Sequence, residues 1–210
     1  MSAHAQLVAH QAADPRAALL CRLYEEQSTL LRTLIHINAL HAVQHQAGHG
    51  LRTNWAGADD GKLYAHPEDV RMLLFDLFDA LDRLWEEAIT IDDELYVAAF
   101  AMYGITAIHP FMAANGRTAM DFGQYLLMHR WGSKEPPIGF GDGAHHMIGG
   151  LFQGLDQLAE DNNPLEFVLV RQQLILRFRR TDLSHLKSMP AFQVAVAWFQ
   201  TGVRIPWSEG

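Results

Sequence analysis

Residues 91–117 read IDDELYVAAFAMYGITAIHPFMAANGR. A helix starts near Asp92-Asp93, where carboxylates meet the positive end of the helix dipole. It continues through Leu95, Val97, Ala98, Ala99, Phe100, Met102 and Ile105, apolar almost all round, the pattern of a central helix buried on every side. Pro110 ends it, because the residue before a proline is pushed out of the α region. A polar, glycine-containing loop follows, and a further helix runs from about Arg117 to His129. The segment therefore sets a histidine at a helix end, an Asn-Gly turn, and an arginine entering the next helix. Backbone N–H groups of the turn and of that helix N-terminus converge as an anion site. Arg117 adds a forked cation suited to phosphate, and His109 stands beside it as a general base near neutral pH. A phosphate cradle with an adjacent base points to transfer of a phosphate-containing group to a hydroxyl.

Outward from this stretch the pattern stays helical. Asp14-Pro15 reads as an N-cap with proline at the first helical position. It opens a helix through Leu19, Leu20, Leu23, Leu30, Leu31, Leu34 and Ile35 to about His45, before Gly48 and Gly50. Residues 51–66, LRTNWAGADDGKLYAH, carry Gly57 and Gly61 around Asp59-Asp60 and read as a short hairpin. His66-Pro67-Glu68-Asp69 starts a helix whose stripe is Val70, Leu73, Leu74, Leu77, Phe78, Leu81, Leu84 and Trp85. Residues 131–143 form a loop, and further helices are expected around 144–160, 164–180 and 190–201. The reading is an all-α domain spanning 1–210 with one small hairpin. Its core lies at about 50–135, with an N-terminal helix within 1–49 and C-terminal helices in 136–210.

The chain has 210 residues and a net charge of −8. That length suits one domain and lets about 70% of the unfolded surface be buried without a disulfide or metal staple. Cys21 is the single cysteine, which excludes a disulfide framework and CxxC zinc or redox motifs. No uncharged apolar run approaches the roughly 18 residues of a membrane span, and the N-terminus lacks a basic region followed by an apolar one. The acidic balance argues against bulk nucleic-acid binding. The expectation is a cytoplasmic protein, or an effector exported without a cleaved signal.

The stretch HPFMAANGR, residues 109–117, resembles the signature of Fic-domain proteins, H-x-F-x-(D/E)-(A/G)-N-(G/K)-R. The resemblance covers about residues 50–132 and is weak before 50 and after 135. It implies the Fic-fold helical bundle, with the hairpin at about Leu51–His66 as the flap that lines up a target segment. The family's usual reaction moves AMP from ATP to a Ser, Thr or Tyr hydroxyl of a protein. So the resemblance implies ATP or another nucleotide as donor, Mg²⁺ with it, and a hydroxyl-bearing protein as partner. His109 would deprotonate the attacking hydroxyl, and Phe111 would anchor the loop in the core. Asn115 would hold the loop and hydrogen-bond the phosphate, Ala114 and Gly116 would complete the anion hole, and Arg117 would bind the leaving β-phosphate.

Two positions depart from that pattern. Ala113 stands where the family has an acid that holds Mg²⁺, and such sites rely on one or two carboxylates plus the phosphates. Met120 stands where many members have a second arginine for the γ-phosphate. Loss of one such stabiliser costs on the order of 3 kcal/mol, about a hundredfold in rate. A donor without a γ-phosphate makes no demand on position 120, and UMP and phosphocholine are also transferred by relatives. Asp121 reads as an ordinary acid of the helix start, or as a metal carboxylate if that start were rotated. The alternative function is a non-catalytic Fic-like module that binds a nucleotide or a protein. Thr90-Ile91-Asp92-Asp93-Glu94 has the spacing of the family's inhibitory motif but is followed by Leu95 and lies inside the fold, so a separate antitoxin, or none, fits better.

Other signals have plainer readings. His41, His45 and His49 share one helical face, where a packed or solvated histidine surface outweighs a metal site. His145-His146 read as exposed loop residues. Arg171, Arg177, Arg179 and Arg180 read as a solvated basic face. Trp131, Trp198 and Trp207 read as packing residues, and the apolar surplus of the last 60 residues suits a homodimer.

Overall fold

The computed structural model describes residues 15–26, 29–43, 50–57, 64–134, 136–137 and 182–202. Its helices are α1 (Pro15–Glu25), α2 (Leu30–Ala42), α3 (Val70–Glu87, entered through a 3-10 turn at Pro67–Asp69), α4 (Ile91–Ile108), α5 (Asn115–Trp131), α6 (Leu183–Ser188) and α7 (Pro190–Gly202).

The residues from Leu95 to Ile105 are all buried, so α4 is the central helix that its composition demands. Around it stand α3, α5, α6 and α7, while α1 and α2 pack on α5 from the far side. Two glycines allow the close approaches. An ideal Cβ on Gly104 of α4 would lie 2.5 Å from Leu77 Cδ1 of α3, and one on Gly123 of α5 would lie 2.7 Å from Met102 Sδ of α4. The α3 stripe buries Val70, Leu73, Leu74, Leu77, Phe78, Leu81 and Leu84, each such side chain contributing about 1.5–3 kcal/mol.

The start of α4 is tied down from three directions. Thr90 and Asp93 form a reciprocal capping box. Burial pushes the Asp93 carboxyl up, but the Lys187 ammonium and the Thr90 and Ile89 N–H groups outweigh it and hold it at about 2. Glu94 accepts from Arg130 Nε at 2.6 Å and Trp131 Nε1 at 2.5 Å, joining the start of α4 to the end of α5. Lys187 pairs with Asp93, Gln200 Nε2 donates to Asp92 Oδ1 at 2.6 Å, and Leu183 N–H donates to Glu87 at 2.8 Å. These contacts dock α6 and α7.

Three expectations change. The helix expected from residue 14 to about 45 is two helices, α1 and α2, parted near Glu26. Thr29 caps the second by accepting from Arg32 N–H, which gives the chain a place to restart. The helix expected from Arg117 begins at Asn115, and α6 was not foreseen. Of the hairpin, residues 58–63 lie outside the described residues. Among the described residues its flanks meet through Tyr64 N–H to Ala56 O at 3.0 Å, Gly57 forms an isolated bridge, and no strand occurs. Residues 138–181, which contain two expected helices, lie outside the described residues, as do His45, His49, His145-His146, the Arg171–Arg180 cluster and Trp207. Among the described residues no helix is long and apolar enough to cross a membrane.

Candidate active site at the end of the central helix

Helix α4 closes on His109, whose N–H donates to Ile105 O at 2.9 Å while its own backbone turns left-handed, φ 54° and ψ 59°. Ala114, just before α5, is also left-handed at φ 63°. A non-glycine residue held there costs on the order of 1–3 kcal/mol and persists only where its surroundings fix it. Here they do. The loop is closed by the Asn115 side chain, whose Oδ1 accepts from Phe111 N–H at 3.0 Å and whose Nδ2 donates to Phe111 O at 2.9 Å. Phe111 is buried in the core beneath. From α2, Asn38 Nδ2 donates to Ala113 O at 2.9 Å and Thr118 Oγ1 at 3.1 Å, fixing the outer side of the turn.

The consequence is electrostatic. Helix α5 begins without a side-chain cap and without an acid in its first turn. The first-turn N–H groups of any helix lack intrahelical acceptors and carry the positive end of the dipole. Gly116 borders open space, since a Cβ there would meet nothing within 4 Å. Arg117 lies partly buried on the same turn. The turn, Gly116 and Arg117 together can hold an anion beside His109.

The expected flap contributes two residues that the sequence did not single out. Arg52 is buried, 3% exposed, and its guanidinium donates to His109 O at 2.6 Å, Ile108 O at 3.4 Å, Asn54 O at 3.0 Å, and Ala65 O. Its N–H donates to Pro110 O at 2.9 Å. The cation thus sits on the negative end of α4, and burial lowers its pKa from the ordinary arginine value. Tyr64 stacks on the His109 ring, centroids 3.8 Å apart and planes 12° apart. Trp55 packs edge-on against His66 at 4.7 Å on the same flanks. A lone Arg before a turn and a Tyr after one have no periodicity, so only the motif-like position of the hairpin hinted at them.

Among the described residues, the side chains around the motif loop offer a divalent cation no carboxylate. Position 113 is alanine, and Met120 is buried. Asp121 does not turn toward the loop. Its carboxylate accepts from Arg16 at 3.0 and 2.5 Å and meets His41 Nε2 at 2.8 Å, so one buried carboxylate joins α1, α2 and α5. That overturns the metal-carboxylate reading of Asp121 and removes His41 from a metal face. Among the described residues no group of three or more His, Cys, Asp or Glu is arranged to hold a metal ion. Thr90 and Glu94 are engaged at the opposite end of α4, roughly 22–28 Å of helix away from His109.

The Fic/DOC family model matches residues 29–127. That stretch starts at the Thr29 cap, so α2, whose Asn38 braces the turn, falls within the family region that the motif alone placed from about residue 50. A solved structure of a Fic domain containing signaling protein from Bacteroides thetaiotaomicron matches with a TM-score of 0.52 and 19% identity, over 87% of this chain and 69% of that one. At that identity the likeness speaks for the fold. No curated protein matches the chain. The family resemblance and the all-α Fic fold read from the sequence are borne out.

Proposed function

We propose that this chain, a Fic/DOC-family match over residues 29–127, transfers a nucleotide-derived phosphoryl group, AMP in the family's usual reaction, to a Ser, Thr or Tyr hydroxyl of a protein. The observation that carries this is the placement of His109 on a braced left-handed turn next to the uncapped start of α5. His109 takes the proton of the target hydroxyl, and the hydroxyl oxygen forms a bond to the donor's phosphorus. The bond from that phosphorus to the leaving phosphate breaks, and the leaving group departs with the electron pair. Arg117 and the α5 N-terminus bind the phosphate charge, the kind of fixed electrostatic support that lowers a transition state most. No step is assigned to a metal, because the donor set gives it no carboxylate.

The second reading, a nucleotide- or protein-binding module without turnover, is favoured by Ala113 and the buried Met120. Intact-mass spectrometry separates the two. The chain is incubated with ATP, GTP, CTP, UTP and CDP-choline, with Mg²⁺ or Mn²⁺ and a lysate, beside His109→Ala and Ala113→Glu. A mass gain on the chain or a lysate protein that vanishes in His109→Ala supports transfer, and its size names the group. Silence from both the natural chain and Ala113→Glu overturns it in favour of the binding module.

A further inference from the structure

We infer that Arg52 and Tyr64 are positioning residues that hold His109 from two sides, so that the flap base and the motif loop move as one body. This rests on the reading of His109 as the base, and deepens it.

Among the described residues the flanks 50–57 and 64–66 meet through the backbone bond from Tyr64 to Ala56, and a lone two-stranded hairpin is marginal in water. Ala65 is buried in the core and Leu51 packs against it, which seats the flanks on the helices. Arg52 adds the polar contacts that orient them on the end of α4. Four of the five carbonyls it and its backbone reach belong either to the flanks (Asn54, Ala65) or to the end of α4 (Ile108, His109), and the fifth is Pro110 in the motif loop. A guanidinium has five donors in a fixed fork, so one side chain sets both flanks and the helix end in a single geometry. Lysine has one nitrogen and cannot repeat it.

Tyr64 then acts on the ring itself. Its face covers one face of the His109 imidazole at 3.8 Å, nearly parallel. An imidazole on a left-handed backbone could otherwise rotate about its side-chain bonds. A ring nitrogen takes a proton in the plane of the ring, so fixing that plane by the stack fixes the direction from which a target hydroxyl is deprotonated. The two contacts are independent in chemistry, one to the backbone carbonyl and one to the ring, yet both come from the flap flanks. Displacement of the flap therefore displaces the base. General bases must stand within hydrogen-bond reach of the proton they take, and a misplacement of about 1 Å costs on the order of a hundredfold in rate.

The test uses the full chain labelled at histidine for NMR, with His109→Ala assigning the His109 signals, and Tyr64→Phe, Tyr64→Leu, Arg52→Lys and Arg52→Gln as variants. Urea melts run alongside. Stacking under a Tyr ring shifts the His109 ring protons upfield. That shift is expected to persist in Tyr64→Phe, to vanish in Tyr64→Leu, and to shrink in both Arg52 variants, with transfer rates falling about tenfold to a hundredfold wherever it is lost. Asp93→Asn, which loosens α4 at its far end, is expected to lower the melt without moving the His109 signals. A His109 spectrum unchanged in a folded Tyr64→Leu protein overturns the inference, whatever Arg52 variants do to stability. If the natural chain transfers nothing but its His109 signals respond as described, the positioning holds and the transferase reading falls. If transfer proceeds equally in Tyr64→Leu, the positioning falls and the transferase reading holds.

Discussion

Replacing Asp121 by Asn tests whether that carboxylate joins helices or serves a ligand. The side chain is 1% exposed. Arg16 grips both of its oxygens, and His41 approaches one of them. Hydrogen bonds to charged groups contribute about 1.5–3 kcal/mol each, and breaking a fully buried pair costs about 3–5 kcal/mol. Arg16 is 28% exposed, so it regains water when its partner's charge is removed. Asn keeps the shape and one acceptor, so no cavity opens. The expected loss is therefore about 2–3 kcal/mol, below the fully buried case. With a urea slope of about 2–3 kcal/mol/M, the midpoint should fall by roughly 1 M. Far-ultraviolet dichroism and tryptophan fluorescence should give coincident transitions for that number to hold. Arg16→Met should lose more, because it leaves the 1% exposed Asp121 carboxylate buried without its cation, and the double variant should lose less than the sum, because the two share one interaction. An unchanged midpoint, joined by loss of Mg²⁺-dependent nucleotide binding, would refute the reasoning and make Asp121 a ligand.

Acid should weaken the docking of α6 through Asp93. Its carboxyl is held at about 2, below the unfolded value of about 3.9, so its contribution is complete above roughly pH 4 and disappears as pH falls through about 2; unfolding free energy against pH should lose that slope in Asp93→Asn. Gly104→Ala should cost about 1–3 kcal/mol by overpacking against the branched, buried Leu77. Gly123→Ala should cost less, since the unbranched Met102 can shift aside; urea midpoints of the two variants give the comparison.

The helices around the site were legible because apolar spacing and proline fix them. The run from Leu95 to Ile105 has no polar face, and Pro110 can end it in only one place. The break between α1 and α2 was not legible for a specific reason. Leu23 and Leu30 are seven residues apart, so the apolar stripe stays in phase across the interruption, and periodicity alone reads one helix. The Ser28-Thr29 pair was the available signal, a cap in the middle of an apparently continuous pattern. The turn of the motif loop, from His109 through Asn115 and Gly116 to Arg117, was legible as the join between two helices. Its bracing was not, because Asn38, Arg52 and Tyr64 lie between 45 and 75 positions away in sequence and belong to no repeat. Asp121 misled for a related reason. An acid near a helix start has a ready local explanation, while its actual partners come from α1 and α2.

Both functional readings need the anion site, so the anion site cannot choose between them. Its parts are the uncapped start of α5, Gly116 and Arg117, and a module that only binds a phosphate would require the same three. The histidine is different. A residue other than glycine at φ 54° carries strain that glycine there would relieve. The fold instead keeps His109, roofs its ring with Tyr64 and fixes its carbonyl with Arg52. An imidazole can donate a hydrogen bond to a bound phosphate, but proton transfer is the task that needs the ring in one place. Ala113 and Met120 bear on the leaving group and its counterion, not on the base. They therefore argue about which donor is used and how fast, and the transferase reading survives them with a donor that asks less of those two positions.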